Sequence, residues 1–181
     1  MSPVSSRTPG RASTGPELNF SDPQADDFEA LSRDRVPVRS LQPGDLPAMI
    51  AIDRRVTGRD RAAYYRRKSA EALEESGVRV SLVAELDGRL VGFVMARVDF
   101  GEFGRTEPEG VLDTIAVDPA YAGHNVGTAL VSQLLANLAS LRVERVRTEV
   151  AWDNFGLLGF LERCGFRPSQ RLSFARPIAA G

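Results

Sequence analysis

Histidine, cysteine and tryptophan each occur once in the 181 residues, and each scarcity closes a class of chemistry. With one histidine, His124, and one cysteine, Cys164, there is no Cys/His ligand set, and no metal site is expected. A lone cysteine also forbids an internal disulfide, so a reducing compartment, the cytoplasm, is the expected location. Strong charge of one sign is missing as well. Lys and Arg total 23 against 24 Asp and Glu, a net charge of -1, which removes the electrostatic case for a nucleic-acid partner. No apolar run approaches the ~20 residues a bilayer span needs. Met1 is followed by no apolar stretch of the kind a secretory signal carries, so neither membrane nor export is expected.

What is present is ordinary for a globular chain: 43% apolar and 26% charged residues, enough for one domain with a sizeable core. Residues 1–35 are rich in Ser, Pro, Gly and charge and poor in large apolar side chains, which predicts a disordered tail. The domain then occupies 36–181. A short alternating strand is expected over 36–41, followed by the Pro43-Gly44-Asp45 turn. Asp45 is the expected N-cap of a helix over 46–56, with Leu46, Met49, Ile50 and Val56 on its buried side. A second helix over 60–75 carries Arg59, Arg61, Arg66, Arg67 and Lys68, which read as a solvated face. Two strand-like runs, 80–86 and 89–99, flank Asp87-Gly88, the strongest short signal for a hairpin. Residues 100–109 read as a loop.

The most informative stretch begins at Leu112. Leu112, Ile115 and Val117 mark a strand that Asp118-Pro119 stops, because proline cannot donate to a ladder. Gly123, Asn125 and Gly127 then alternate, and Val126, Ala129, Leu130, Leu134, Leu135 and Leu138 recur at helical spacing to about 141. A strand, a glycine-bearing turn and a helix start make an anion site, since first-turn N–H groups are free and the helix dipole favours negative charge. No Gly-Lys-Ser/Thr follows, so this is no Walker loop. Asn125 stands where a dinucleotide fingerprint would have its middle glycine. A strand over 143–151, a helix over 154–163 and a last strand over 171–175 complete the pattern. An antiparallel meander feeding a strand–helix–strand crossover predicts an α/β (α+β-like) fold with a mixed sheet and helices on both faces.

In this order the motifs resemble the GNAT superfamily of N-acetyltransferases. Residues 115–130 (IAVDPAYAGHNVGTAL) resemble its cofactor strand and pyrophosphate loop, 154–166 (NFGLLGFLERCGF) its closing helix motif, and 39–46 (RSLQPGDL) its opening. The resemblance implies a mostly antiparallel central sheet of six to seven strands. It implies acetyl-CoA as cosubstrate, with the backbone of Ile115, Ala116 and Val117 pairing with the pantetheine arm. It places the pyrophosphate on the N–H groups of Gly123, His124, Asn125, Val126, Gly127 and Thr128, and assigns Asn154 to the pantetheine as well as to the cap of its own helix. The sequence departs from the family at three positions. Ala122 replaces the usual Arg or Gln, Asn125 a glycine, and Leu161 the tyrosine that serves many members as general acid.

Direct acyl transfer to an amine needs a base and an oxyanion donor. Glu109 and Asp113 are the candidate bases, and four apart in an unbulged strand they share a face. The Val117 N–H is the candidate oxyanion donor. The expected partner is an amine substrate (small molecule, peptide or protein), and the resemblance implies a homodimer. The expected activity is acetyl transfer from acetyl-CoA to a primary amine in a ternary complex. Ala122 and Leu161 motivate an alternative, a degenerate CoA-binding sensor or partner-binding module.

Overall fold

A computed structural model describes residues 35–74, 79–100, 107–170 and 175–176. The tail expected over 1–35 lies outside the described residues except for Arg35. The elements are β1 (Val38–Ser40), a 3₁₀ turn (Pro43–Asp45), α1 (Leu46–Thr57), α2 (Ala62–Glu74), β2 (Arg79–Leu86), β3 (Arg89–Phe100), β4 (Pro108–Val117), a 3₁₀ turn (Pro119–Tyr121), α3 (Val126–Ser140), β5 (Val146–Arg147) and α4 (Phe155–Arg163). The sheet order is β1-β2-β3-β4-β5; the first four strands are antiparallel neighbours and β5 joins β4 in parallel. Among the described residues no helix is long and apolar enough to cross a membrane.

The hairpin follows from its turn. Asp87 and Gly88 have φ of 51° and 70°, the left-handed pair whose twist matches the flanking strands. Strand alternation then separates two cores. Leu82, Val91, Val94, Ala96 and Leu112 face Val126, Ala129, Leu130, Leu134 and Leu138 of α3. Val83, Phe93, Met95 and Ala116 face Met49 and Ile52 of α1 and Tyr65 of α2. Helices therefore cover both faces, as the sequence predicts.

Several expectations change. The described residues hold five strands, where six to seven are expected; of the strand placed at 171–175, residues 171–174 lie outside the described residues. The strand placed at 143–151 pairs only over Val146–Arg147. Its ladder stops because the chain parts from β4 there: the Thr148 hydroxyl, instead of a backbone N–H, donates to the Leu112 carbonyl at 2.9 Å. β4 starts at Pro108, four residues before the position predicted for it. Asp45 takes the N-cap position of α1 as expected, but its side chain makes no bond to the helix. Its carboxylate turns back to accept from the Gln42 N–H at 2.7 Å and from both terminal nitrogens of Arg39. Val56 is exposed, and Ile52 and Asp53 take the buried side of α1 with Met49. Of the basic cluster, Arg66 and Arg67 are solvated, but Arg61 and Lys68 reach inward to Asp53 and Asp113.

Candidate active site

Where β4 and the chain after β5 diverge, a cavity of about 690 Å³ opens, within the size range of small-molecule and cofactor sites. One wall is the free edge of β4. Asp118 N–H donates to Val91 O of β3 at 2.8 Å. N–H direction alternates along a strand, so the Val117 and Ile115 N–H groups point the other way, toward the cavity.

The turn beyond β4 is fixed from both sides. Asp118 is buried; it accepts from the Ala120 N–H at 3.1 Å and pairs with Arg55 of α1. Gly123 and Asn125 both adopt positive φ, 80° and 58°. That curl aims the chain into α3, whose first bond runs from Ala129 N–H to Asn125 O at 2.9 Å. The N–H groups of Val126, Gly127 and Thr128 therefore have no partner inside the helix, and the dipole puts partial positive charge there. A Cβ on Gly127 would stand about 3.0 Å from the Phe160 ring, so glycine here lets α4 pack closely against this turn without moving the ring. Arg163 on α4 adds a full positive charge to the lining.

Ile115, Ala116, Val117, Gly123, Asn125, Val126, Gly127, Thr128 and Asn154 all line this cavity. Asn154 is also the cap of α4, its side chain accepting from the Leu157 N–H at 3.2 Å. His124 stands apart from the cavity wall. Its N–H serves Tyr121 O at 3.3 Å, and its ring nitrogen Nδ1 lies 3.1 Å from Ala122 O. Curled N–H groups, a close helix contact at Gly127 and a free strand edge together fit a ligand with a pyrophosphate joined to an amide-bearing arm.

The other end of the cavity is made of side chains. Asp113 lines it, raised on a bulge: Met95 pairs with Thr114 and Ala96 with Leu112, leaving Asp113 as the extra residue. Residues 109–112 keep register with β3 and the bulge falls at Asp113 itself, the end of the span, so the two carboxylates stay on one face of β4. Asp113 is ion-paired with Arg97 and with Lys68, the latter at 3.3 Å. Glu109 is buried away from the cavity, 3.2 Å from Arg147 Nε. Asp99 joins the two pairs, 2.9 Å from Arg97 and 3.3 Å from Arg147. Burial works against the Arg97 charge, but the bond and field of Asp113, with Asp99 beside it, hold the guanidinium above its ordinary range.

A second charged cluster completes this end, and sequence reasoning passed over it. Asp53 of α1 is 1% exposed and lines the cavity. It accepts from Arg61 Nε at 2.9 Å, from Arg61 Nη2, and from the Tyr65 hydroxyl at 2.9 Å. Tyr65 Oη also lies 3.4 Å from the Thr114 hydroxyl. Burial pushes the Tyr65 phenol up to about 12, and the Asp53 bond raises Arg61. The signal was available: Leu46, Met49, Ile50 and residue 53 form an apolar stripe at helical spacing, and an acid on such a stripe requires a buried partner. No sequence signal marks Thr148, Phe160 or Arg163 as lining residues, because they depend on how far the chain after β5 swings from β4. Leu161 is buried and is absent from the lining, whereas Leu157 and Phe160 of the same helix are on it. Among the described residues no group of three or more His, Cys, Asp or Glu could hold a metal ion.

Residues 46–166 match the family described as acetyltransferase (GNAT) family. Among solved structures, a transcriptional regulator from Bacillus halodurans C-125 superposes with a TM-score of 0.68 at 18% identity, over 78% of this chain and 99% of that one. An aminoglycoside N-acetyltransferase, AAC(6')-Iy, in complex with CoA gives 0.68 at 17% identity over 80% and 95%. Glucosamine-6-phosphate N-acetyltransferase from Arabidopsis thaliana gives 0.62 at 17% over 80% and 99%. At these identities the likeness establishes the fold.

Proposed function

The chain belongs to the acetyltransferase (GNAT) family, and we propose that it transfers the acetyl group of acetyl-CoA to a primary amine by direct attack in a ternary complex. The observation that carries this reading is the wedge between β4 and the chain after β5, which ends in the N–H cradle of the turn before α3. When bound there, acetyl-CoA supplies an activated acyl carbon. The N–H groups of Gly123 and of Asn125 to Thr128 hold the pyrophosphate, without that of His124, and the exposed edge at Ile115 and Val117 pairs with the amides of the arm. Asn154 borders the arm from α4, and the Val117 N–H faces the charge that develops on the acyl oxygen.

Of the two carboxylates suggested for the base, Asp113 is the one on the cavity wall, so it is assigned the proton of the incoming amine, directly or through one water. Lys68 and Arg97 hold it there. No acid occupies position 161. A thiol leaves as a thiolate near its ordinary pKa of about 8.5, so a dedicated acid would speed the reaction without being a condition for it.

The test is thermal stabilisation by acetyl-CoA followed by CoA release with a panel of amines. No stabilisation at millimolar acetyl-CoA sinks the reading. Stabilisation without CoA release on any amine would favour a second one, a CoA-binding module without turnover, for which Leu161 is the motivating residue.

A further inference from the structure

The acetyltransferase reading leaves the acceptor undefined, and the solved neighbours point in opposite directions. One acts on aminoglycosides, which are polycations, and another on an amino-sugar phosphate. Charge at the acceptor end decides between them. Three carboxylates line the cavity: Asp53, Asp113 and Glu149. Asp53 is taken by Arg61 and Tyr65, and Asp113 by Arg97 and Lys68. Glu149 is 78% exposed at the rim and within 3.6 Å of Arg147. A polycation entering here meets Asp53 and Asp113 already paired, which leaves only Glu149 at the rim, whose Arg147 is shared with Asp99 and Glu109.

The unspent hydrogen-bonding capacity belongs to a cation. Asp53 occupies the Nε and Nη2 side of Arg61, and among the described residues Nη1 has no partner. The guanidinium lies 5.8 Å from the Tyr64 ring centre and 5.6 Å from that of Tyr65, which with Asp53 fixes its plane. Nη2 also reaches the Tyr65 hydroxyl at 3.4 Å, and the side chain is 41% exposed and lines the cavity, so Nη1 is left as a pre-oriented donor for an incoming ligand. The Nη1 N–H bonds of a guanidinium give charge-assisted hydrogen bonds to a carboxylate or phosphate oxygen.

We propose that Arg61 is a specificity-determining residue that binds an oxyanion, carboxylate or phosphate, carried by the acceptor alongside its amine. Asp53 and Tyr65 act through Arg61 as positioning residues. The amine then lies toward Thr114 and Asp113, on the wall that adjoins the cofactor edge.

The test rests on the acetyltransferase reading and uses the whole protein with acetyl-CoA. kcat/KM is measured on matched acceptors: an α-amino acid and its amide, glucosamine 6-phosphate and glucosamine, and a polycationic aminoglycoside. The expected result is a preference of at least about tenfold, ~1.4 kcal/mol, for the anionic member of one pair, carried mainly in KM. The pair that discriminates tells carboxylate from phosphate. In Arg61→Gln that preference falls to near unity while acetyl-CoA stabilisation stays. Because Arg61→Gln strands the Asp53 charge, the Asp53→Asn/Arg61→Gln double variant removes both charges together and must give the same loss. Preference for the aminoglycoside or the neutral members, or a preference unchanged in both variants, overturns the proposal while leaving the acetyltransferase reading standing. Absence of acetyl-CoA binding removes that reading and this one with it.

Discussion

At one end of the cavity a ligand meets backbone: the β4 edge, the turn with positive φ at Gly123 and Asn125, and the first turn of α3. At the other it meets side chains drawn from α1, the start of α2 and the β4 bulge, each neutralised by a neighbour before any ligand arrives. The first construction depends on chain path and tolerates side-chain change, which is how Ala122 and Asn125 can stand where the family has other residues. The second depends on pairs far apart in sequence, so a single substitution there leaves a partner charge exposed to a dry environment.

The largest effect expected follows from that asymmetry. Asp113→Asn keeps the shape of the bulge and removes the group assigned to the amine's proton. kcat should fall by about 10²–10⁴, the range of one general base, while acetyl-CoA still raises the melting temperature as in the parent. Steady-state rates beside a thermal-shift titration check both halves. Loss of acetyl-CoA binding in this variant would mean that the two ends are not separable.

Next in size is the buried phenol. Tyr65→Phe deletes a hydrogen bond to a buried, charged Asp53 and should cost about 2 kcal/mol in denaturant unfolding. The same variant has a pH signature. The Tyr65 phenol is raised from 10.0 to about 12 in the fold, so the protonated form is the one the native state favours. Its contribution is complete below pH 10 and is lost as pH rises from about 10 to about 12. The stability difference between parent and Tyr65→Phe should therefore narrow across that window. A constant difference would mean that the phenol titrates normally.

The two regions also differ in what the sequence discloses. The hairpin, the strand ended by Asp118-Pro119 and the turn before α3 are each specified within a few residues, by backbone rules that Asp-Gly, Asp-Pro and glycine spacing obey. These are legible, and so is the helix that follows. The bulge that lifts Asp113 is not, since nothing in residues 109–117 says which position is doubled against β3. Nor is the short β5: residues 143–151 have strand composition throughout, yet the chain leaves β4 after Arg147 and the Thr148 side chain ends the pairing. Glu109 and Asp113 look equivalent along the chain and are not in space, because Arg147 sits against one and the cavity against the other. Arg61 reads as one cation among several until Asp53 is seen to be buried beneath it.

A smaller effect probes the glycine that lets α4 close on the cradle. Gly127→Ala puts a methyl about 3.0 Å from the Phe160 ring, so the ring must yield by a few tenths of an ångström. Alanine improves helix propensity by up to ~1 kcal/mol, which offsets much of that strain in the empty protein. With the ring displaced into the ligand's path, acetyl-CoA affinity should drop about tenfold, ~1.4 kcal/mol, at nearly unchanged stability. Calorimetric titration of the variant measures it, and undiminished affinity would show that Phe160 has room to move.

The smallest effect tests whether the cradle is made of backbone. Asn125 holds φ of 58° without capping α3 through its side chain, so beyond its backbone the residue contributes a conformation and no bond. Asn125→Gly relaxes that conformation but loosens the unfolded chain, and the two nearly cancel, leaving stability within about 0.5 kcal/mol. Acetyl-CoA affinity should stay within about threefold, because the N–H groups remain where they were. Asn125→Val is the counterpart. A β-branched residue resists the left-handed region, costing about 1–2 kcal/mol, and should weaken acetyl-CoA as the turn reopens. A tenfold loss in Asn125→Gly would mean that the amide side chain itself touches the ligand, and the contrast between a backbone end and a side-chain end would fail at this position.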